Sequence, residues 1–257
     1  MQALQINKIH AAQHCLRTGK LEDCLITLGY PHDLQSNDQA YAVSALALYL
    51  QKRLLEAETC YHKAINLNPS EPTHHLNLAK LLIDLKRRDE ALMSYQQAIS
   101  LDPTFEKALL GAANMYQQQG DIDAALLLCS QACAFHRQSS LSKSLQFELF
   151  FQKMQFTAAI EILVDFENGK FHGPPQIDFD AQIQQLSAKG LTSKEFLDFV
   201  EKVKALAPKN IKLQLSIGNW FLRHKQPRKA LGYLRLVQKQ DPHYRGVWNN
   251  IACAFHD

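Results

Sequence analysis

Small residues and prolines recur in this sequence at a constant interval. Pro69 and Pro103 lie one such interval apart, and we call this distance one repeat. Upstream of the prolines, alanine holds the same three places in three successive stretches, at Ala45, Ala57 and Ala64, at Ala79, Ala91 and Ala98, and at Ala113, Ala125 and Ala132. A period of about 20–50 residues indicates one structural unit copied along the chain. Such a chain folds by stacking its copies, because each copy is too small to bury its own apolar face.

The repeated unit is expected to be helical. Glycine and proline number 10 and 9, which together make about 7% of the 257 residues, whereas average usage is about 12%. A fold built from many short strands would need more of these turn residues. Apolar residues make up 46% and charged residues 21% of the chain, which is the composition of an ordered globular protein. We therefore expect an all-α fold.

Aromatic residues complete the pattern, since Tyr61 and Tyr95 each follow a repeated alanine by four positions. The pattern resembles the tetratricopeptide repeat family, whose 34-residue unit reads W-x2-L-G-x2-Y…A-x3-F…P. The resemblance is specific over residues 38–137 and 211–257, and the second stretch ends in a first helix without a second, Trp248-x2-Ile251-Ala252-x2-Phe255. It implies a right-handed α-solenoid of stacked helix-turn-helix repeats, whose first helices line a concave wall.

Helix-breaking residues interrupt the helical pattern once. The stretch 167–176 contains Gly169, Gly173, Pro174 and Pro175, and such a cluster marks a loop. We interpret it as a linker between two blocks of repeats, residues 1–166 and residues 177–257. Within the first block the clear copies span 38–137, and residues 150–160 read as a degenerate copy.

The resemblance places the functional surface on the concave wall. We expect a peptide-binding groove formed by Ala42, Val43, Leu46, Tyr49, Leu50, Asn77, Lys80, Asn114, Asn219 and Asn250. The wall is apolar in its first copy and polar further on, which suits a peptide with hydrophobic anchors at one end. An asparagine amide can donate to and accept from a peptide backbone at once. The alternatives are that superhelical closure or self-association buries the apolar strip, and that the asparagines are simply solvated.

The chaperone-binding site of the family is not expected in this chain. In the family this two-carboxylate clamp uses lysine, asparagine and arginine side chains on three successive first helices. The corresponding places here hold Ala42, Leu46, Asn77, Lys107 and Gly111. Asn77 and Lys107 fit the clamp and the other three residues do not. Binding of heat-shock chaperone C-termini is therefore disfavoured.

The C-terminal part of the chain is basic. Residues 201–257 carry eleven lysines and arginines against three acidic residues, a balance of +8, whereas the whole chain has a net charge of +3. We expect a patch for an acidic partner protein at Arg223, Lys225, Arg228 and Lys229. The alternatives are a merely solvated basic end and, with less support, a nucleic-acid surface, since helical spacing assigns most of the nearby aromatic residues to the core.

Neither catalysis nor metal binding is expected. The chain has no G-x-S-x-G, no glycine-rich phosphate loop and no H-E-x-x-H. Cys129, Cys133 and His136 share one helix face and could supply three zinc ligands, but Cys129 holds the packing place of Tyr61 and Tyr95. We expect no metal and no cofactor. His10 and His14 lack a further ligand at useful spacing.

These observations predict a non-catalytic adaptor that binds a peptide or helix of a partner protein. The alternative is the substrate-recruiting repeat region of a larger enzyme, such as a glycosyl- or sulfotransferase. No apolar run approaches the roughly 18 residues of a membrane span and no secretory signal opens the chain, so we expect a cytoplasmic protein. The unpaired last helix leads us to expect that the native chain continues past Asp257 and that this helix can mediate self-association.

Overall fold

A computed structural model describes residues 2–30, 37–188, 194–206 and 209–256. This part of the chain is helical, as the repeat pattern predicts. Its fifteen helices are α1 (Gln2–Arg17), α2 (Leu21–Leu28), α3 (Asp38–Leu50), α4 (Leu54–Leu67), α5 (Pro72–Asp84), α6 (Arg88–Leu101), α7 (Glu106–Gln119), α8 (Ile122–Phe135), α9 (Ser140–Gln152), α10 (Phe156–Glu167), α11 (Phe179–Ala188), α12 (Lys194–Leu206), α13 (Ile211–Arg223), α14 (Pro227–Gln240) and α15 (Val247–His256).

The chain divides into two compact units, Met1–Gln119 and Gly120–Asp257. In the first unit, α1 packs against α2, α3 against α4 and α5 against α6 as helix hairpins joined by short turns. Successive hairpins are stacked, because α4 packs against α5, α6 packs against α7, and α3 also contacts both α1 and α5. This arrangement of stacked helix pairs confirms the predicted solenoid of helix-turn-helix repeats.

The repeated alanines lie where helices approach most closely. All six alanines of the first two copies, Ala45, Ala57, Ala64, Ala79, Ala91 and Ala98, are fully buried. Tyr61 and Tyr95 are buried beside them and fill the space between successive hairpins. A side chain at Gly111 on α7 would collide with the ring of Tyr95. Small residues are therefore required at these places by packing.

The turns inside the hairpins extend the repeat register. Lys52, Lys86 and Met154 all have positive φ, at 65°, 64° and 61°, a conformation that costs non-glycine residues about 1–2 kcal/mol. Gly120 has a φ of 86° and lies one repeat after Lys86 and one repeat before Met154. Lys225 has a φ of 54° and follows the start of α13 by the same distance as Lys52 follows the start of α3. The degenerate copy therefore keeps the register of the clear ones.

The second unit is held together by an aromatic core. Phe151 of α9 packs edge-on against Phe156 of α10 and Phe199 of α12, with ring centroids 5.4 and 5.1 Å apart. At the C-terminal end, α13 packs against α14, and α15 against both. The predicted linker, residues 167–176, lies inside this unit. It is non-helical from residue 168, as its breakers predict; that it separates two blocks of repeats stays a prediction.

Candidate peptide-binding groove

The apolar part of the predicted groove lies on α3. Leu50 is 48% exposed, Ala42, Leu46 and Tyr49 are half-buried, and Val43 is only 9% exposed. The accessible apolar surface of α3 is therefore carried by Leu46 and Leu50, with little contribution from Val43.

A hydrogen bond joins this surface to the next first helix. The hydroxyl of Tyr49 donates to Oδ2 of Asp84 on α5 over 2.8 Å. Burial raises the pKa of Tyr49, and the hydrogen bond and negative charge of Asp84 raise it further, so the hydroxyl keeps its proton and remains the donor. The bond fixes the spacing between α3 and α5 at this edge of the groove.

The polar part of the groove lies on α5 and α7. Asn77 is half-buried, and Lys80, Lys107 and Asn114 are exposed. Burial lowers the pKa of Lys80, and the positive charge of Lys107 lowers it further, so the two ammonium groups are near each other. Among the described residues, neither lysine forms an ion pair. The polar part of the groove therefore presents two positive charges that no acidic side chain of the described residues neutralises.

A partly buried polar cluster that sequence reasoning missed connects the first two clear repeats. Oδ2 of Asp38 on α3 accepts a hydrogen bond from Nδ2 of Asn68 and lies 3.1 Å from Nε2 of the buried His74 on α5. Burial raises the pKa of Asp38, but the hydrogen bonds from Asn68 and His74 outweigh it and the net shift is downward. The carboxylate therefore stays ionised and ties the start of α3 to the start of α5.

The two asparagines predicted near the C-terminus are in contact with each other. Nδ2 of Asn250 on α15 donates to Oδ1 of Asn219 on α13 over 2.6 Å, and both side chains are half-buried. This bond uses one donor of Asn250 and one acceptor position of Asn219. The other donor and acceptor positions of the two amides can still form hydrogen bonds with a ligand.

The predicted acidic-partner patch is exposed. Arg223, Lys225, Arg228 and Lys229 are all solvent-accessible, and the described residues give none of them an acidic partner. Arg228 and Lys229 lie in the first turn of α14, which contains no acidic residue. Cations at a helix N-terminus oppose the helix dipole, at about 0.3–1 kcal/mol each. The two charges therefore oppose the dipole of α14, and the ammonium group of Lys229 lies over the ring of Phe221 on α13, 5.6 Å from its centroid.

Cys129 and Cys133, which were considered as zinc ligands, pack between helices. Cys129 is fully buried and its thiol donates to the carbonyl oxygen of Ser142 on α9 over 3.2 Å, while Sγ of Cys133 lies 3.6 Å from Oε1 of Gln146. No group of three His, Cys, Asp or Glu residues in the described part of the chain is arranged to hold a metal ion. No described helix is long and apolar enough to cross a membrane.

Comparison with known proteins agrees with the repeat register. The family model described as Tetratricopeptide repeat matches residues 38–71 and 75–105, which are the first two clear copies. These two stretches of the chain are therefore tetratricopeptide repeats. The chain is 23% identical over 98% of its length to tetratricopeptide repeat protein 21A of Mus musculus, and 30% identical over 51% of its length to the BBSome complex member BBS4 of Bos taurus.

The chain covers only part of these two relatives. The chain spans about 20% of the mouse protein and 25% of the bovine one. A solved structure of pilF from Pseudomonas aeruginosa superposes with a TM-score of 0.61 at 14% identity, covering 98% of both chains. The structural likeness shows that the fold is shared. Stacked repeats of this kind form extended concave surfaces.

Proposed function

We propose that this tetratricopeptide repeat protein is a non-catalytic adaptor that binds a peptide or helix of a partner protein on the face formed by α3, α5 and α7. The observation that supports this is the combination of exposed Leu50 with the unpaired ammonium groups of Lys80 and Lys107 on successive first helices. A partner side chain that covers Leu50 and Leu46 would gain about 25 cal/mol for each Å² of apolar surface removed from water.

The polar end of the same face favours an acidic group in the ligand. A carboxylate placed between Lys80 and Lys107 would relieve the repulsion between the two ammonium groups, and Asn77 is on the same helix as Lys80 to hold the backbone of the ligand. The expected ligand is therefore a segment with a hydrophobic anchor at one end and an acidic residue at the other.

The groove is tested by comparing two leucine substitutions. Leu46→Asp places a charge in the proposed groove, whereas Leu55→Asp makes the same change at a leucine of α4 that is 71% exposed. The wild-type protein and both variants, each checked by circular dichroism, are used to capture partners from native lysate. We expect proteins retained by the wild type and by Leu55→Asp to be lost with Leu46→Asp.

Two results would contradict the groove. Equal retention by both variants would show that ligands bind elsewhere. Unfolding of Leu46→Asp while Leu55→Asp stays folded would show that Leu46 belongs to the core. Lys80→Glu tests the exposed polar end of the same face independently, with Lys20→Glu in the turn before α2 as the matched control.

We infer a second contact, with an acidic protein surface, at the basic patch. Its support is that Arg228 and Lys229 oppose the dipole of their own helix and have no acidic partner within the described residues. If the patch steers an acidic partner, the association rate should fall as salt rises past about 0.15 M, where the screening length is about 8 Å.

Charge reversal tests the patch directly. Arg228→Glu with Lys229→Glu should slow association by roughly tenfold at low salt and remove its salt dependence, and the dissociation rate should change less. Stopped-flow or surface plasmon resonance measurements with the captured partner give both rates. An association rate of the wild type that does not depend on salt would exclude the electrostatic role.

A further inference from the structure

The face of α9 that corresponds to the groove of α3 is covered. Counting three repeats on from α3 places Ser144 and Leu145 where α3 has Ala42 and Val43. Ser144 is 3% exposed, whereas its counterpart Ala42 is half-exposed; Leu145 and its counterpart Val43 are buried alike, at 7% and 9%. A first helix of a repeat normally keeps this face open to ligands, so part of the structure lies over α9.

The cover is a segment of the same chain, residues 171–176. The backbone N–H of His172 donates to the carbonyl oxygen of Gln138 over 2.8 Å, and that of Gln176 donates to Oγ of Ser144 over 2.8 Å. Both donors belong to the segment and both acceptors to α9 or the residues just before it. The segment therefore lies along α9 as an extended ligand would, with its backbone hydrogen-bonded to the groove.

Two prolines restrict the backbone of the segment. Pro174 and Pro175 each have a fixed φ and no N–H, so they cannot join a helix. Gly173 has a φ of 92°, and a side chain built on it would lie 3.6 Å from Oγ of Ser140. Phe171 anchors the start of the segment, with its ring edge-on to Phe166 at a centroid distance of 4.6 Å. The two prolines lose little conformational entropy when the segment docks, whereas Gly173 provides the turn before them.

The length of the connection supports a role beyond linking two helices. Eleven residues separate the end of α10 at Glu167 from the start of α11 at Phe179, whereas the hairpin between α9 and α10 needs only three. Helix connections commonly take about 2–8 residues. The additional residues are those that cross the face of α9.

We propose that the face of α9 around Ser144 and Leu145 is a second peptide-binding surface, that residues 171–176 occupy it in cis, and that it takes in trans an extended peptide in which an aromatic residue precedes two adjacent prolines. The proposal concerns the second unit and does not depend on the groove formed by α3, α5 and α7. The two proposals are therefore tested independently, and a negative result for one surface does not exclude the other.

The covalent connection of residues 171–176 to the rest of the chain allows us to calculate how tightly the free peptide should bind. A short connection holds its segment at an effective concentration in the millimolar range. The segment stays docked nine-tenths of the time only if its own Kd is at least about tenfold below that concentration. A peptide of the same sequence should therefore bind the emptied surface with a Kd below about 1 mM, and should bind the wild type at least tenfold more weakly.

The decisive variant replaces residues 171–176 by glycine and serine at unchanged length, and leaves Ile177 and Phe179 in the core. The probe is a fluorescein-labelled peptide with the sequence of residues 169–176, titrated by anisotropy into the variant and the wild type, with a scrambled peptide as a control. We expect saturable binding to the variant only. Ser144→Val in this variant should weaken binding at least threefold, whereas Ser130→Val, on the exposed side of α8, should leave it unchanged.

Two outcomes overturn the proposal: a folded variant that does not bind the peptide at 1 mM, or one that binds the scrambled peptide equally well. If the variant does not fold, hydrogen exchange on the wild-type chain decides. We expect the amides of His172 and Gln176 to be protected, and Ser144→Ala to accelerate exchange at Gln176 at least tenfold with no change in α13. An unprotected Gln176 amide in the wild type, or an unchanged rate in Ser144→Ala, would equally overturn it.

Discussion

Glu148 shows how strongly the second unit perturbs a single side chain. It lies on α9 three repeats after Leu46, so a carboxyl group stands where the first unit has an apolar groove residue. Burial raises the pKa of Glu148 to about 7, and the negative charge of Asp178 contributes to the rise. The carboxyl is therefore partly protonated near neutral pH, and its ionisation works against the folded state.

The sign of the resulting pH dependence follows from linkage. The pKa of Glu148 is higher in the folded chain than the ordinary value of 4.5, so its contribution to stability is fully present below pH 4.5 and is lost as the pH rises through about 7. We expect Glu148→Gln to be more stable relative to wild type at pH 8 than at pH 5. After allowing for the partial exposure of the carboxyl, the change should be about 1–2 kcal/mol.

Urea unfolding at the two pH values measures this difference. Glu161→Gln on α10 is the matched control, since Glu161 is exposed and lies on the adjacent helix. The comparison cancels the histidines, which titrate in all three proteins. An identical pH dependence for wild type and Glu148→Gln would mean that the Glu148 carboxyl is solvated in the folded chain.

Contacts between side chains distant in sequence could not be predicted from the repeat. Glu148 lies before the irregular connection and Asp178 lies at its end, so no repeat spacing relates the two positions. The cluster of Asp38, Asn68 and His74 was missed for a different reason. None of these three residues holds a position of the family pattern, and their contact depends on how tightly the hairpins stack.

At the scale of single helices and helix pairs, the repeated small residues predicted most of the structure. Alanines spaced one repeat apart predicted both the helices and their partners, because a helix pair can approach closely only where side chains are small. At residues 168–178, glycine and proline correctly predicted a loop but not its docking on α9. That docking depends on one hydrogen bond between backbone groups and one from a backbone N–H to the side chain of Ser144. The pattern of glycines and prolines contains no information about either bond.

The packing of the helix pairs gives a prediction at this scale. Ala91 is fully buried between α5 and α6, so Ala91→Leu should overpack the pair and destabilise the protein by about 1–3 kcal/mol. Ala57→Leu should do the same in the preceding repeat. Ala134→Leu, at an exposed position of α8, should leave the urea midpoint nearly unchanged. Equal midpoints for all three variants and the wild type would contradict the assigned repeat register.

At the scale of the whole molecule, the two units offer different surfaces. The first presents an apolar-to-basic face on α3, α5 and α7, and the second presents a covered face on α9 and an exposed basic patch. Residues 201–257 carry the balance of +8, so the second unit concentrates the positive charge. A repeat protein can carry such different surfaces, because each surface is built from neighbouring helix pairs and does not depend on the other surfaces.

The last helix carries two exposed aromatic rings. Phe221 on α13 is 1% exposed because α14 covers it, whereas Phe255, which lies one repeat later on α15, is 66% exposed and Trp248 is 52% exposed. No described helix covers these rings. Burying a large apolar side chain is worth about 1.5–3 kcal/mol, so two chains gain if they bury these faces together.

We therefore predict that the 257-residue chain associates through α15 as its concentration rises. Trp248→Ser with Phe255→Asp should remain monomeric, because the change removes the exposed aromatic surface and adds a charge to it. Leu127→Asp, at a leucine that is 71% exposed on α8, controls for the general loss of exposed apolar surface and should associate like the wild type. Light scattering between about 10 and 500 μM measures the mass, an interval in which an interaction worth about 5–6 kcal/mol becomes visible. A wild-type chain that is monomeric throughout would show that the exposed rings do not suffice for pairing, and equal association of the double variant would place the contact on another face.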